Sequence, residues 1–139
     1  MSLFDAMGIA STGLNAQSIR LNTIASNMAN ANTVASSEAE SYKAKAPIFN
    51  AVLDTKLEFA EDAMLGVKVE EIVEVGGPAR QEFNPTHPLA DENGYIYRPD
   101  IDATTEMANM MQASRSYQNS VEAINTAKQL ALRTLTLGK

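Results

Sequence analysis

Both ends of this chain repeat an apolar residue at every seventh position, and that repeat limits the possible folds more than any other feature. Near the start, Met7, Leu14, Leu21 and Met28 recur at a spacing of seven. Leu3, Ala10, Ile24 and Ala31 fill the companion positions, with Gln17 as the one polar exception. Seven residues make nearly two turns of an α-helix, so the set lies on one stripe, the a/d seam of a coiled coil. The stripe predicts a helix from about Ser2 to about Ala31. Ser2 and Asp5 would form a capping box at its start, and Asn30-Ala31-Asn32-Thr33 would end it.

At the other end Met107, Met110, Tyr117, Val121, Ile124, Ala131 and Leu135 keep heptad spacing, with Ser114 and Lys128 as polar breaks. A second row, Met111, Leu130, Leu132 and Leu137, widens the apolar face toward the C-terminus. Asp102 is placed to cap this helix and Gly138 to end it. Such a helix has about 35 residues and a length of roughly 50 Å.

The first helix is weak by itself. Gly8 and Gly13 each cost roughly 1 kcal/mol relative to Ala, and Asn15, Asn22, Asn27 and Asn30 are poor helix formers. Packing must supply what propensity lacks, so this segment is expected to fold as it docks.

The middle reads differently. Val67-Lys68-Val69 and Val73-Glu74-Val75 alternate as strands do, and the change of phase at Glu70-Glu71-Ile72 predicts a bulge. Gly76-Gly77-Pro78 marks a turn, and Asn93-Gly94 marks another ahead of Tyr95-Ile96-Tyr97. The expected fold is mainly α with a small β insert. Two long terminal helices pair as an antiparallel coiled coil, and the middle is a turn-rich β region. Residues 1–33 and 102–139 form a helical assembly domain, and 34–101 form a solvent-facing connector and insert. Within the latter, 33–44 and part of 54–66 are expected to be flexible.

Charge follows the same division. Residues 1–34 carry one acid and one base, and 101–139 carry three acids and four bases. Residues 35–100 carry thirteen acids and six bases, a net of −7. Nearly neutral ends and an acidic middle suit ends that are buried together and a middle that faces water.

Several function classes drop out. The chain has no cysteine, hence no disulfide framework and no thiolate metal site. A net charge of −6 disfavours a nucleic-acid partner, which needs clustered Lys and Arg. No apolar run reaches the length that spans a bilayer. Met1-Ser2-Leu3-Phe4-Asp5 lacks the basic and apolar regions of a cleavable signal, so export would use another route.

The densest polar stretch runs from Asn84 to Gly94 and holds one histidine, His87, with Asp91 and Glu92 nearby. Zinc sites need three or four such ligands. Asp91-Glu92-Asn93-Gly94 lacks the alternating oxygen ligands of a calcium loop. No serine sits in a nucleophile elbow, and Gly76-Gly77 lacks the helix and lysine of a phosphate loop. Catalytic residues, metal ligands and cofactors are therefore not assigned. Met107-Ala108-Asn109-Met110-Met111, at helical spacing, reads as packed interface. Antiparallel pairing buries one stripe of each helix and leaves the second C-terminal row outside, which marks a surface for other chains.

Three motifs carry a family resemblance. Ile24-Ala25-Ser26-Asn27-Met28-Ala29-Asn30-Ala31-Asn32-Thr33 resembles the N-terminal signature of bacterial flagellar rod and hook proteins. His87-Pro88-Leu89-Ala90-Asp91-Glu92-Asn93-Gly94-Tyr95-Ile96 is similar to a segment typical of the proximal-rod member of that family. The stretch from Met107 to Gln118, followed by the Leu-rich Thr126–Gly138, resembles the family's C-terminal helix. Asn84 and Asp100 depart from the family pattern, which has Asp and Asn there.

The resemblance implies a subunit of the proximal rod of the flagellar basal body. Such a subunit leaves the cell unfolded through the flagellar type III apparatus, without signal cleavage, and polymerises in the periplasm. Its partners would be copies of itself, other rod proteins (proximal, distal and the adaptor to the export gate) and the surrounding rings. Its terminal helices would form an inner layer around a channel. The assembly residues are then Leu3, Met7, Leu14, Leu21, Ile24, Asn27, Met28 and Asn30 at one end. Met107, Met110, Met111, Tyr117, Val121, Ile124, Leu132 and Leu135 are those at the other. Competing readings are a distal-rod or hook subunit, which would carry a larger middle, a helical adaptor or export chaperone, and a small hydrolase using His87.

Overall fold

The computed structural model describes residues 3–54 and 64–137. The Ser2 cap, the Gly138 terminator and residues 55–63 of the expected connector lie outside the described residues. Helix α1 spans Leu3–Asn30 and α2 spans Ala103–Leu137. Between them in sequence come β1 (Ala44–Asp54), β2 (Met64–Val75), β3 (Arg80–Phe83) and β4 (Tyr95–Arg98). β1 pairs with β2 and β3 with β4, giving two small two-stranded sheets in a mostly helical chain.

These elements divide into two compact units. The first comprises residues Met1–Leu21, Pro47–Glu71 and Gln112–Lys139; the second comprises Asn22–Ala46 and Ile72–Met111.

In the first unit the two helices run antiparallel and close together. A Cβ placed on Gly13 would lie 3.6 Å from Ser120 Oγ, and the Arg20 guanidinium donates to Gln112 Oε1 at 3.3 Å. Seven residues forward on α1 thus correspond to eight backward on α2. The buried positions are small: Ala16 on α1, and Ala113 and Ala127 on α2. β2 begins against α1, where Thr12 Oγ1 accepts from the Val67 amide at 3.1 Å and donates to the Ile9 carbonyl at 2.7 Å. Gly66 permits this approach, since a Cβ there would come within 3.3 Å of Thr12 Oγ1.

In the second unit β3 and β4 form an antiparallel pair in the register Arg80↔Arg98 to Phe83↔Tyr95. Phe83 and Tyr95 meet edge to face at 5.3 Å, and Ile96 is completely buried. The turn before β4 needs its glycine: Gly94 has φ 82°, and a Cβ would fall 3.0 Å from the Phe83 ring. Asp102 caps α2 as expected, accepting from the Thr104 and Thr105 amides at 3.1 and 3.3 Å and from the Thr105 hydroxyl at 2.6 Å. The Thr105 hydroxyl bond, with the two amides, holds this carboxyl below its ordinary pKa.

One expectation for the middle is corrected. The segment 33–44 is not a free connector: Ala35 bridges Tyr97 through both of its backbone groups, at 2.9 and 3.1 Å. These bonds use backbone atoms on the open edge of β4, which side-chain composition does not reveal. β2 runs continuously through Glu70-Glu71-Ile72, and all three of these side chains are exposed.

Candidate assembly interface

The best-satisfied polar side chain of the second unit is Asn27. It is 3 % exposed and uses both ends of its amide. Nδ2 donates to the Lys45 carbonyl at 2.9 Å and to Glu106 Oε2 at 3.2 Å. Oδ1 accepts from the Lys45 amide at 2.9 Å and from the Tyr42 hydroxyl at 3.1 Å. The side chain therefore pairs with the start of β1 as a strand would, while also holding α2 through Glu106. The Asn30 side chain donates within its own helix, to the Ser26 carbonyl at 2.8 Å.

The heptad residues take up three situations. Ile24 is buried. Leu3, Met7, Leu14, Leu21, Met28 and Asn30 on α1, and Met110, Tyr117, Val121 and Ile124 on α2, are half-buried. Met107, Met111, Leu132 and Leu135 are exposed, at 50, 61, 55 and 70 %. Small and polar residues also lie where the helices meet: Gly13 beside Ser120, with Ala16 and Ala113 buried, in the first unit, and Asn27 bonded to Glu106 in the second. On α2, Glu106, Ala113, Ser120 and Ala127 are themselves spaced by seven. That stripe of small and polar residues was the available signal, and a search for large apolar side chains passes over it.

The Asn84–Gly94 stretch is a shaped turn. His87 Nδ1 accepts from the Leu89 amide at 3.1 Å, and Asn84 Oδ1 accepts from the Thr86 hydroxyl at 3.0 Å. Asp91 Oδ1 accepts from the amides of Asn93 and Tyr95 at 2.9 and 2.8 Å, and Oδ2 accepts from the Tyr97 hydroxyl at 3.2 Å. The Tyr95 amide, followed by the other donors, lowers the Asp91 pKa. Desolvation, with the Asp91 hydrogen bond and charge, raises that of Tyr97. Asp100, at the other departure from the family pattern, is paired with Arg80 at 2.8 Å. Among the described residues, no three His, Asp or Glu side chains converge as a metal site. No described helix is long and apolar enough to cross a membrane.

The comparisons with known proteins fall on the same segments. Residues 7–34 match the family described as flagella basal body rod protein. Residues 92–137 match the flagellar basal body rod FlgEFG protein C-terminal family. The whole chain is 45 % identical to the whole flagellar basal-body rod protein FlgC of Yersinia enterocolitica, over 139 residues. It is 43 % identical to the whole FlgC of Salmonella typhimurium, and 28 % identical over 150 aligned residues to that of Bacillus subtilis. The two family matches cover α1 from Met7 onward and all of α2, including Asn27 and the exposed methionines and leucines of α2, and the chain belongs to the FlgC family of flagellar basal-body rod proteins.

Proposed function

We propose that this chain is a structural subunit of the flagellar basal-body rod, in its proximal section, and that it assembles by packing its terminal helices against those of neighbouring subunits. The chain is not an enzyme. In this reading residues 1–33 and 102–139 are the assembly domain, where α1 and α2 join a coiled-coil layer around the export channel. Residues 34–101 face outward. The subunit reaches the periplasm through the flagellar type III route without a cleaved signal. There it joins copies of itself, other proximal- and distal-rod subunits, the adaptor to the export gate and the surrounding rings. Transmitting torque then requires only stiff and extensive packing.

One observation supports this above all. Met107, Met111, Leu132 and Leu135 are at least half exposed on a single helix of 35 residues. A lone chain leaves that apolar surface in water, at roughly 25 cal/mol for each Å². Half-buried Leu21 on α1 and Ile124 on α2 extend the surface to both helices. The test is motility and rod assembly with Leu21→Asp or Ile124→Asp. Both variants should be expressed and exported but non-motile, with no completed rod; wild-type swimming in both contradicts the reading.

A further inference from the structure

Asn93 is the one asparagine of the chain that is followed by glycine. Such a pair is chemically labile: the glycine nitrogen, unhindered by a side chain, can attack the asparagine side-chain carbon and expel ammonia. The attack needs that nitrogen swung toward Asn93 Cβ and free of its hydrogen bond. The fold denies both. The Gly94 amide donates to the Asp91 carbonyl at 3.0 Å, closing a β-turn with Glu92 and Asn93 at its centre. Neither central residue has a positive φ, which leaves a type I turn. Its third residue has a ψ of about 0°, so the next nitrogen is held away from Cβ. Asp91 Oδ1 reinforces the turn by accepting from the Asn93 and Tyr95 amides at 2.9 and 2.8 Å. From the other side the Asn84 amide donates to the Gly94 carbonyl at 2.9 Å. Gly94 is buried against Phe83 and Pro85, where an added Cβ would lie at 3.0 and 3.1 Å. Asn93 itself is exposed, so water reaches its side chain while the attacking nitrogen is fixed.

We infer that Asn93-Gly94 is a deamidation site, which the Asp91 turn keeps inert in the folded chain and releases when the turn opens. In the opened chain, hydroxide takes the Gly94 amide proton and the nitrogen forms a bond to Asn93 Cγ. The Cγ–Nδ2 bond breaks, and Nδ2 takes a proton from water and leaves as ammonia. Water then opens the cyclic imide. Breaking the bond from the Gly94 nitrogen to Cγ gives an aspartate at position 93. Breaking its bond to the main-chain carbonyl carbon gives an isoaspartate, with the backbone routed through the side chain. The net change consumes one water and releases one ammonia. Either product adds a negative charge beside Asp91 and Glu92, and isoaspartate also lengthens the backbone of a turn already wedged against Phe83 and Pro85. A folded subunit is thereby protected from an ageing reaction that a chain still unfolded undergoes. The chemistry is the same whether or not the chain assembles.

The experiment incubates the purified full chain in mildly alkaline buffer, at a concentration where circular dichroism shows it folded, with and without guanidinium chloride. Position 93 is followed by peptide mass spectrometry after chromatography that separates aspartate from isoaspartate. The folded chain should convert at least about tenfold more slowly than the denatured one, a factor equal to about 1.4 kcal/mol of turn opening. In the denatured chain position 93 should change before any other asparagine. Asp91→Ala should convert several-fold faster than the wild type without denaturant, and Asp91→Asn, which keeps an acceptor oxygen, should stay close to the wild type. Equal rates in the folded and denatured wild type overturn the inference, as does a folded Asp91→Ala chain that converts no faster than the wild type. Should Asp91→Ala fail to fold, Asp91→Asn decides: a folded Asp91→Asn chain that converts at the denatured rate overturns it as well.

Discussion

Asn27 and Lys45 are joined twice: the side-chain amide of one accepts from the backbone amide of the other at 2.9 Å and donates to its carbonyl at 2.9 Å. A helix side chain thereby takes the place of a neighbouring strand and fixes where β1 starts relative to α1. The same residue holds Glu106 at the first turn of α2. In Asn27→Ala the Lys45 backbone groups, the Tyr42 hydroxyl and the Glu106 carboxylate lose a buried partner together. The expected loss is about 3 kcal/mol, because stranded buried groups cost more than an average hydrogen bond contributes. Urea unfolding should show it as a lower midpoint with little change in slope.

The small-residue seam gives an opposite pair of outcomes at one position. A Cβ on Gly13 would sit at ordinary contact distance, 3.6 Å from Ser120 Oγ. Gly13→Ala should therefore raise the stability of α1 by about 1 kcal/mol through helix propensity alone. Gly13→Leu has no room beside Ser120 and should lower stability by about 1–3 kcal/mol. Thermal unfolding of the two variants separates close helix contact from a loose one, which would accept both.

The lowered carboxyl pKa values set an acid limit. Asp91 and Asp102 both titrate below their ordinary value of 3.8 in the folded chain. Their ionised forms are favoured by folding, so their contribution is fully present above that value and is lost as pH falls through the folded pKa values. Tyr97 is raised above 10.0, so its contribution is present below pH 10 and is lost as pH rises through the folded value. Hydrogen exchange at the Asn93 and Tyr95 amides should accelerate at the acid limit in the wild type. Asp91→Ala should show that acceleration already at neutral pH.

Much of this arrangement was legible in the sequence. The heptad stripes gave both helices nearly to the residue, because a period of seven admits few other solutions and Asp102 is a strong start signal. The β character and turns of the middle followed from alternation and from Gly94, whose backbone angle few other residues adopt. What stayed hidden depends on contacts remote in sequence. Ala35 is tied to Tyr97 through main-chain atoms that every residue possesses. The close approach of α1 and α2 rests on Gly13, Ala16, Ala113 and Ser120, whose small side chains read as weak helix or neutral surface. The large apolar residues marked both helices correctly, but the chain leaves Met107, Met111, Leu132 and Leu135 among them exposed.

Surface substitutions at the uncovered end of α2 should therefore separate folding from assembly. Leu135 is 70 % exposed, so Leu135→Glu should change the stability of the single chain by less than about 0.5 kcal/mol. The same variant should fail to complete rods and leave cells non-motile. Chemical denaturation beside a swimming assay provides both readings.

The most direct test of the account follows helix formation as the chain is diluted. Circular dichroism and amide exchange, measured from nanomolar to high micromolar concentration, should show weak protection of α1 and of residues 130–137 when dilute. Protection and helicity should rise together as oligomers form. Full helicity and full protection in a nanomolar monomer would contradict it, for the exposed methionines and leucines would then need no neighbouring chain.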